Sequence, residues 1–140
     1  MGNNNPGVIA FEKYEVVKVT FERNDFYNGE EVNVDVKVNA NVKSNEDGNA
    51  MLVELGLKVF EHAKENGYPF EMFVLVRGYF GKENGDDIAK FQANAIAILY
   101  PYARAIVSSY TANANVTPLI LPTVNVNQML QSARDKDIRK

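Results

Sequence analysis

Val32-Asn33-Val34-Asp35-Val36-Lys37-Val38-Asn39-Ala40-Asn41-Val42 alternates apolar and polar residues without a break. Successive side chains of a strand point to opposite faces of a sheet, so this stretch predicts a strand with one buried face. A helix is excluded, because its apolar positions recur every three or four residues. On one side, Val17, Val19 and Phe21 alternate with Lys18, Thr20 and Glu22; on the other, Val53, Leu55, Leu57 and Val59 alternate with Glu54, Gly56 and Lys58. Both are read as further strands. Residues 70–80 are apolar on both alternating sets, which predicts a strand that is central or covered on its second face. The pairs Asn28-Gly29, Asp47-Gly48, Asn66-Gly67 and Asn84-Gly85 punctuate these segments and accept the positive φ of tight turns. Short connections throughout predict an antiparallel meander.

From Asp86 the period changes. Ile88, Phe91, Ala95, Leu99, Tyr102, Ile106 and Tyr110 recur at intervals of three and four, with Asp86 or Asp87 as the N-cap. Pro101 lacks a backbone donor and clashes with the preceding turn. Two helices joined near Tyr100 are therefore expected, Pro101 lying in the first turn of the second and the stripe ending around Asn113 to Asn115. Beyond it, Thr117 to Val126 carries Pro118 and Pro122, which cannot donate to a ladder, and predicts an extended, docked segment. The expected fold is α+β, a four-stranded antiparallel sheet with two C-terminal helices packed on it. One domain spans residues 1–140: a flexible N-terminus over 1–8, the sheet over 10–80, helices over 86–115, the docked segment over 116–127 and a charged tail over 128–140.

The chain has 140 residues, with 15 Lys and Arg against 18 Asp and Glu, for a net charge of -3. That balance argues against a general nucleic-acid or anionic-membrane binder, which needs a cationic footprint. There is no Cys and one His, His62, so thiolate metal sites, disulfides, a Cys nucleophile and a multi-His cage are excluded. No apolar stretch reaches the length of a membrane span and no leader pattern opens the chain. A cytoplasmic protein without membrane insertion is expected.

No phosphate loop, nucleophile elbow, His-Glu-x-x-His or dinucleotide fingerprint occurs. With the commonest general base nearly absent, the expectation is no enzyme, no catalytic residue, no cofactor and no metal. His62 reads as an exposed loop residue, and Asp86-Asp87 as helix-capping acids rather than ligands. Arg104, amid the apolar stripe, needs acceptors from the tail or loops. It is expected to anchor the helix junction at Pro101. Phe73 and Leu75 fall on the opposite strand face from Met72, Val74 and Val76. One layer of helices covers one face only, so a homo-oligomer is expected.

Leu99-Tyr-Pro-Tyr-Ala-Arg104, followed after a helical spacer by Pro118-Leu-Ile-Leu-Pro-Thr-Val-Asn125, resembles the signature of the SecB protein-export chaperones. In that family a Leu-Phe-Pro-Tyr-Ala-Arg run opens the main helix, and a Phe-Pro-x-Leu-x-Leu-x-Pro-Val-Asn-Phe run follows it. Tyr100 replaces the first run's Phe, and Pro101, Tyr102, Ala103 and Arg104 agree. In the second run Val116 and Thr117 stand at the opening Phe and Pro. Leu119 and Leu121 stand at the two Leu, Thr123 at the later Pro, Val124 and Asn125 are unchanged, and Val126 stands at the last Phe. Arg77-Gly78-Tyr79-Phe80 is similar to the Gly-x-Phe ending of the family's fourth strand.

The resemblance implies an ATP-independent holdase, a cytosolic homodimer or homotetramer that binds unfolded or extended polypeptide clients in hydrophobic grooves, with an export motor docking on an acidic sheet face. Residues 1–85 carry 9 Lys and Arg and 14 Asp and Glu, hence -5, whereas residues 86–140 carry 6 and 4, hence +2. The sign agrees with that expectation and the magnitude is small, so a dedicated client of the antitoxin type is the variant reading. A docked segment that cannot join the sheet yet is too apolar to lie free suggests a groove wall. The client groove is then expected to include Ile96, Leu99, Tyr102, Leu119, Leu121 and Val126. The alternative for these residues is plain core, since the two look alike in sequence. A different class stays open as well, a small-molecule-binding domain or enzyme with an enclosed pocket and convergent polar groups.

Overall fold

The computed structural model describes residues 9–83, 85–117 and 119–121. The expected N-terminal stretch, charged tail and Val126 lie outside the described residues. Four strands form one antiparallel sheet: β1 (Ala10–Arg23), β2 (Val36–Ser44), β3 (Ala50–Val59) and β4 (Phe70–Gly81). A helical turn, α1 (Ala63–Asn66), connects β3 to β4. A 3-10 turn (Ile88–Phe91) then leads into the long helix α2 (Gln92–Asn113).

The strand order is β1-β4-β3-β2, so the expected simple meander is corrected: only β2, β3 and β4 follow one another, and β1 lies beside β4. The doubly apolar β4 explains this order, because a strand with little polar edge to show water is satisfied only with a neighbour on each side. Residues 24–35 form a crossover long enough to carry the chain from β1 to the far edge of the sheet, a Greek-key connection. The alternating stretch that begins at Val32 also pairs later than its pattern suggests. Val36 is the partner of Val59, where β3 ends, so residues 32–35 have no ladder to join.

The core lies between one sheet face and α2. Val53, Leu55, Leu57 and Val59 of β3 and Met72, Val74, Val76 and Phe80 of β4 meet Ile96, Leu99, Ala103 and Val107, all buried. A Cβ on Gly78 would stand 3.1 Å from a Leu99 methyl, so the absence of a side chain there lets the helix approach the sheet. As expected, Phe73 and Leu75 face away from this core and are half-buried on the open face, with Leu52 and Tyr79 beside them.

α2 is one continuous helix, which corrects the expected pair of helices: Pro101 sits inside it. Proline deprives the carbonyl four residues earlier of its partner. Here that carbonyl belongs to Ala97, and both Ala97 and Pro101 are exposed, so water satisfies it while buried neighbours on the other face hold the helix to the sheet. The buried stripe also turns differently after Leu99. Ala103, Val107 and Thr111 face the sheet, and Tyr102, Ile106 and Tyr110 lie on the flank toward β1.

Asp87 caps the 3-10 turn, its carboxylate accepting from the Ala89 N–H at 2.9 Å. The same carboxylate packs against Gly48 in the β2–β3 turn, where φ is +71° and an added Cβ would meet its carbon at 3.0 Å. The Ile88 N–H donates to the Gly48 carbonyl at 2.9 Å. Gly48→Ala is therefore expected to lower stability by about 2 kcal/mol, combining left-handed strain with displacement of the cap. A urea midpoint shift with unchanged slope checks this.

Candidate functional site

Three stretches that the ladder does not use converge at one end of the sheet: the crossover 24–35, the β3–β4 corner, and the residues after α2. Between them lies a cleft of about 850 Å³. Phe60 and Phe70 lie against its apolar interior, their rings 5.1 Å apart and edge to face. Val32 and Val34 line it from the crossover, and Val116 and Leu119 from the chain beyond the helix. Arg23, Asp25 and Glu31 add charge to the lining. The crossover carries Asp25, Glu30, Glu31 and Asp35 and no Lys or Arg, so its charge is acidic.

Asn24 holds two of these stretches together. It is 5% exposed, donates from Nδ2 to the carbonyls of Tyr68 at 2.8 Å and Ala63 at 3.3 Å, and accepts from the Phe26 N–H at 3.0 Å. Tyr27 closes the crossover on itself, its hydroxyl donating to the Glu30 carbonyl. At the corner Phe60 takes a left-handed φ of +55°, a cost for a bulky residue that its buried ring offsets by packing on Tyr68 and Phe70. Glu61 beside it receives Lys37 at 2.8 Å and Lys58 at 3.5 Å. The bond from Lys37 holds the Glu61 carboxyl below its ordinary range and raises the Lys37 ammonium.

The third wall is fixed by side chains of α2. Thr111, fully buried, donates to the Val107 carbonyl at 2.8 Å and accepts the Leu119 N–H at 2.9 Å, while the Ser108 hydroxyl donates to the Leu119 carbonyl at 3.0 Å. Leu119 thus has both backbone groups bonded to a helix flank rather than to a strand. Arg23 of β1 donates to the carbonyls of Ala114 at 2.8 Å and Asn115 at 3.4 Å, gripping the helix end, where Asn115 turns left-handed at φ +60°.

The residues singled out in the sequence divide. Leu119 lines the cleft and is half-buried. Ile96, Leu99 and Leu121 are at most 1% exposed and sit in the core, so of the two readings open for them the structure gives core. Tyr102 is on the exterior, 39% exposed, with its ring 4.6 Å from that of Tyr14. Arg104 lies over the Tyr100 ring at 5.9 Å, a cation–π contact. Burial pushes the Tyr100 phenol up, and Arg104 opposes that shift. His62 is exposed in a left-handed turn. Asn24, Arg23, Thr111 and Phe60 were missed. Only the Asn24-Asp25 pair after a strand carried any signal, and that signal is one of a turn. Among the described residues no group of three His, Asp or Glu is placed to hold a metal ion, and no helix is long and apolar enough to cross a membrane.

The family model of the preprotein translocase subunit SecB matches residues 10–137. The uncharacterized protein MJ0357 of Methanocaldococcus jannaschii is 30% identical over 132 residues, covering 91% of this chain and 85% of its own. Among solved structures, the SecB-like chaperone Rv1957 of Mycobacterium tuberculosis, in complex with a ChAD peptide from the HigA1 antitoxin, superposes with a TM-score of 0.62. It shares 15% identity over 84% of this chain and 88% of that one. A protein of unknown function from Streptococcus agalactiae superposes with a TM-score of 0.50 at 12% identity, over 82% of this chain and 97% of that one. The match to the family model spans almost the whole chain, and the four-stranded sheet with its C-terminal helix is the fold of the SecB-like chaperone: the chain belongs to the SecB family.

Proposed function

We propose that this protein is a chaperone that holds an extended, apolar segment of an unfolded polypeptide in the cleft between the crossover, the Phe60–Phe70 corner and the chain after α2. The observation that carries the reading is the cleft itself, an apolar cavity of about 850 Å³ built from segments outside the sheet ladder and able to take several side chains of an extended chain. Binding of this kind works by covering apolar surface and needs no poised titratable group, ATP or metal. Family membership supports a chaperone role, and the peptide held by Rv1957 supports a polypeptide client. We further infer a cytoplasmic homodimer or homotetramer without enzymatic activity. Delivery to an export motor and service to one dedicated client are two versions of the same holding step, and the likeness to Rv1957 favours the second.

Val34 lines the cleft and is 43% exposed, so it can be changed without opening the core. Val34→Asp is expected to weaken binding of an unfolded test protein about tenfold while leaving the melting temperature within a few degrees. Suppression of aggregation and direct binding of an extended apolar peptide are the measurements. Equal binding by both proteins would remove the cleft from the reading. A panel containing exported precursors and single candidate clients separates general from dedicated service.

A further inference from the structure

β1 runs for 14 residues at an edge of the sheet and is hydrogen-bonded to β4 alone. So long an edge, free of proline, is a template for another strand. The surface around it is apolar and open. Tyr14, Val16 and Val17 are 39%, 50% and 42% exposed on the strand, and Tyr102 and Tyr110 are 39% and 42% exposed on the adjoining flank of α2. A groove of about 400 Å³ runs between them, with Ile106 in its wall. Arg104 is the one charged residue of the helix, so this flank has little to offer a strongly charged partner.

We propose that a second copy of this chain occupies this edge, the two β1 strands pairing antiparallel about a two-fold axis between Val16 and Val17. The charge pattern of β1 identifies the occupant. Lys13, Glu15, Lys18 and Thr20 share the open face of the sheet, in register with Tyr79, Arg77, Leu75 and Phe73, while Tyr14 and Val19 share the helix side, in register with Gly78 and Val74. Reversing the strand about that axis sets Glu15 opposite the second copy's Lys18, and Lys13 opposite its Thr20. On the helix side Tyr14 meets Val19 and Val16 meets Val17. Every pair away from the axis keeps its face, no like charges meet, and the attractive pair occurs twice. Moving the axis to lie between Val17 and Lys18 also preserves faces and sets Lys13 opposite Glu22. A strand that matches its own reverse in both charge and face is what an isologous contact requires. The register irregularity between Val16 and Lys18 makes this match possible, because it exchanges the faces of the two halves of the strand.

This assignment names the surface of the homo-oligomer inferred above, and its test reads mass rather than client binding, so it stands or falls apart from the chaperone reading. Sedimentation of the full chain across 1–100 µM, with circular dichroism to confirm folding, is the experiment. The wild-type protein is expected to dimerise or assemble further. Val16→Lys, at a half-exposed position, should raise the dissociation constant at least about tenfold. Lys18→Glu should do the same, and Glu15→Lys with Lys18→Glu should restore association. Rescue of Lys13→Glu by Glu22→Lys instead supports the same pairing with the axis one step along. A monomer at every concentration overturns the proposal. So does association that ignores Val16→Lys and is lost in Leu75→Lys, which would put the contact on the open sheet face. A wild-type monomer whose β1 edge takes up an added peptide strand overturns it too, naming a client as the occupant.

Discussion

Leu121→Ser is expected to destabilise the protein by about 3–5 kcal/mol while leaving client binding by the folded molecules intact. Leu121 is 1% exposed and packs in the core, although it lies beyond the last helix in a stretch that looks peripheral in the sequence. Large-to-small core changes cost about 2–5 kcal/mol, and the new hydroxyl would be buried as well. For a chain of this size the expected fall in melting temperature is roughly 10–20 °C. The urea midpoint and an aggregation-suppression assay below the transition check both halves. An unchanged midpoint with weakened binding would return Leu121 to the groove wall and refute its place in the core. The double bond from Leu119 to Thr111 and Ser108 sets the register of this segment on α2, with Leu121 two residues further along.

Asn24→Asp is expected to be nearly as damaging at neutral pH, by about 2–4 kcal/mol, and less so in acid. The side chain of Asn24 donates to two carbonyl oxygens, which a carboxylate repels, leaving those acceptors unpaired in a buried place. The fold therefore favours the protonated acid, and the pKa of the new side chain is raised on folding. Stability in the variant is then best preserved below the unfolded carboxylate range and is lost as pH rises through it, the reverse of an ion-paired carboxylate. Midpoints of the variant and the wild type, measured from pH 4 to 8, should diverge with increasing pH. A constant difference would mean that the Asn24 amide does not donate to these carbonyls. Because Asn24 ties the crossover to the β3–β4 corner, binding in the cleft should fall alongside stability.

How far the structure could be read in advance follows from which forces are local. Strand periodicity, the turn pairs and the Asp87 cap are properties of a few neighbouring residues, and each expectation built on them holds: four strands, a capped helical region from residue 88, and positive φ at Gly29, Gly48, Gly67 and Gly85. The apolar face shared by Met72, Val74 and Val76, opposite Phe73 and Leu75, was likewise visible as alternation. The SecB signature runs through Pro101, Tyr102, Ala103 and Arg104, and its chemistry lies in order and spacing, which a sequence displays directly.

What only the tertiary structure decided is where distant segments meet. Strand order depended on the double-sided burial of β4 and on a crossover whose length permits either edge, and local pattern does not distinguish these. Pro101 broke no helix because the surrounding core holds the turns on both sides and the orphaned Ala97 carbonyl faces water, a balance that propensity alone does not contain. Ile96, Leu99 and Leu121 became core, and Tyr102 and Leu119 remained accessible, although all five are apolar or aromatic and equally plausible groove residues in one dimension. The cleft has no motif, because it is made from what the ladder leaves over: the unpaired start of an alternating stretch, a strained corner at Phe60 and a chain held on the helix flank by two hydroxyls. Burial is a property of the folded whole, so a sequence marks which side chains seek it but not which of them find it.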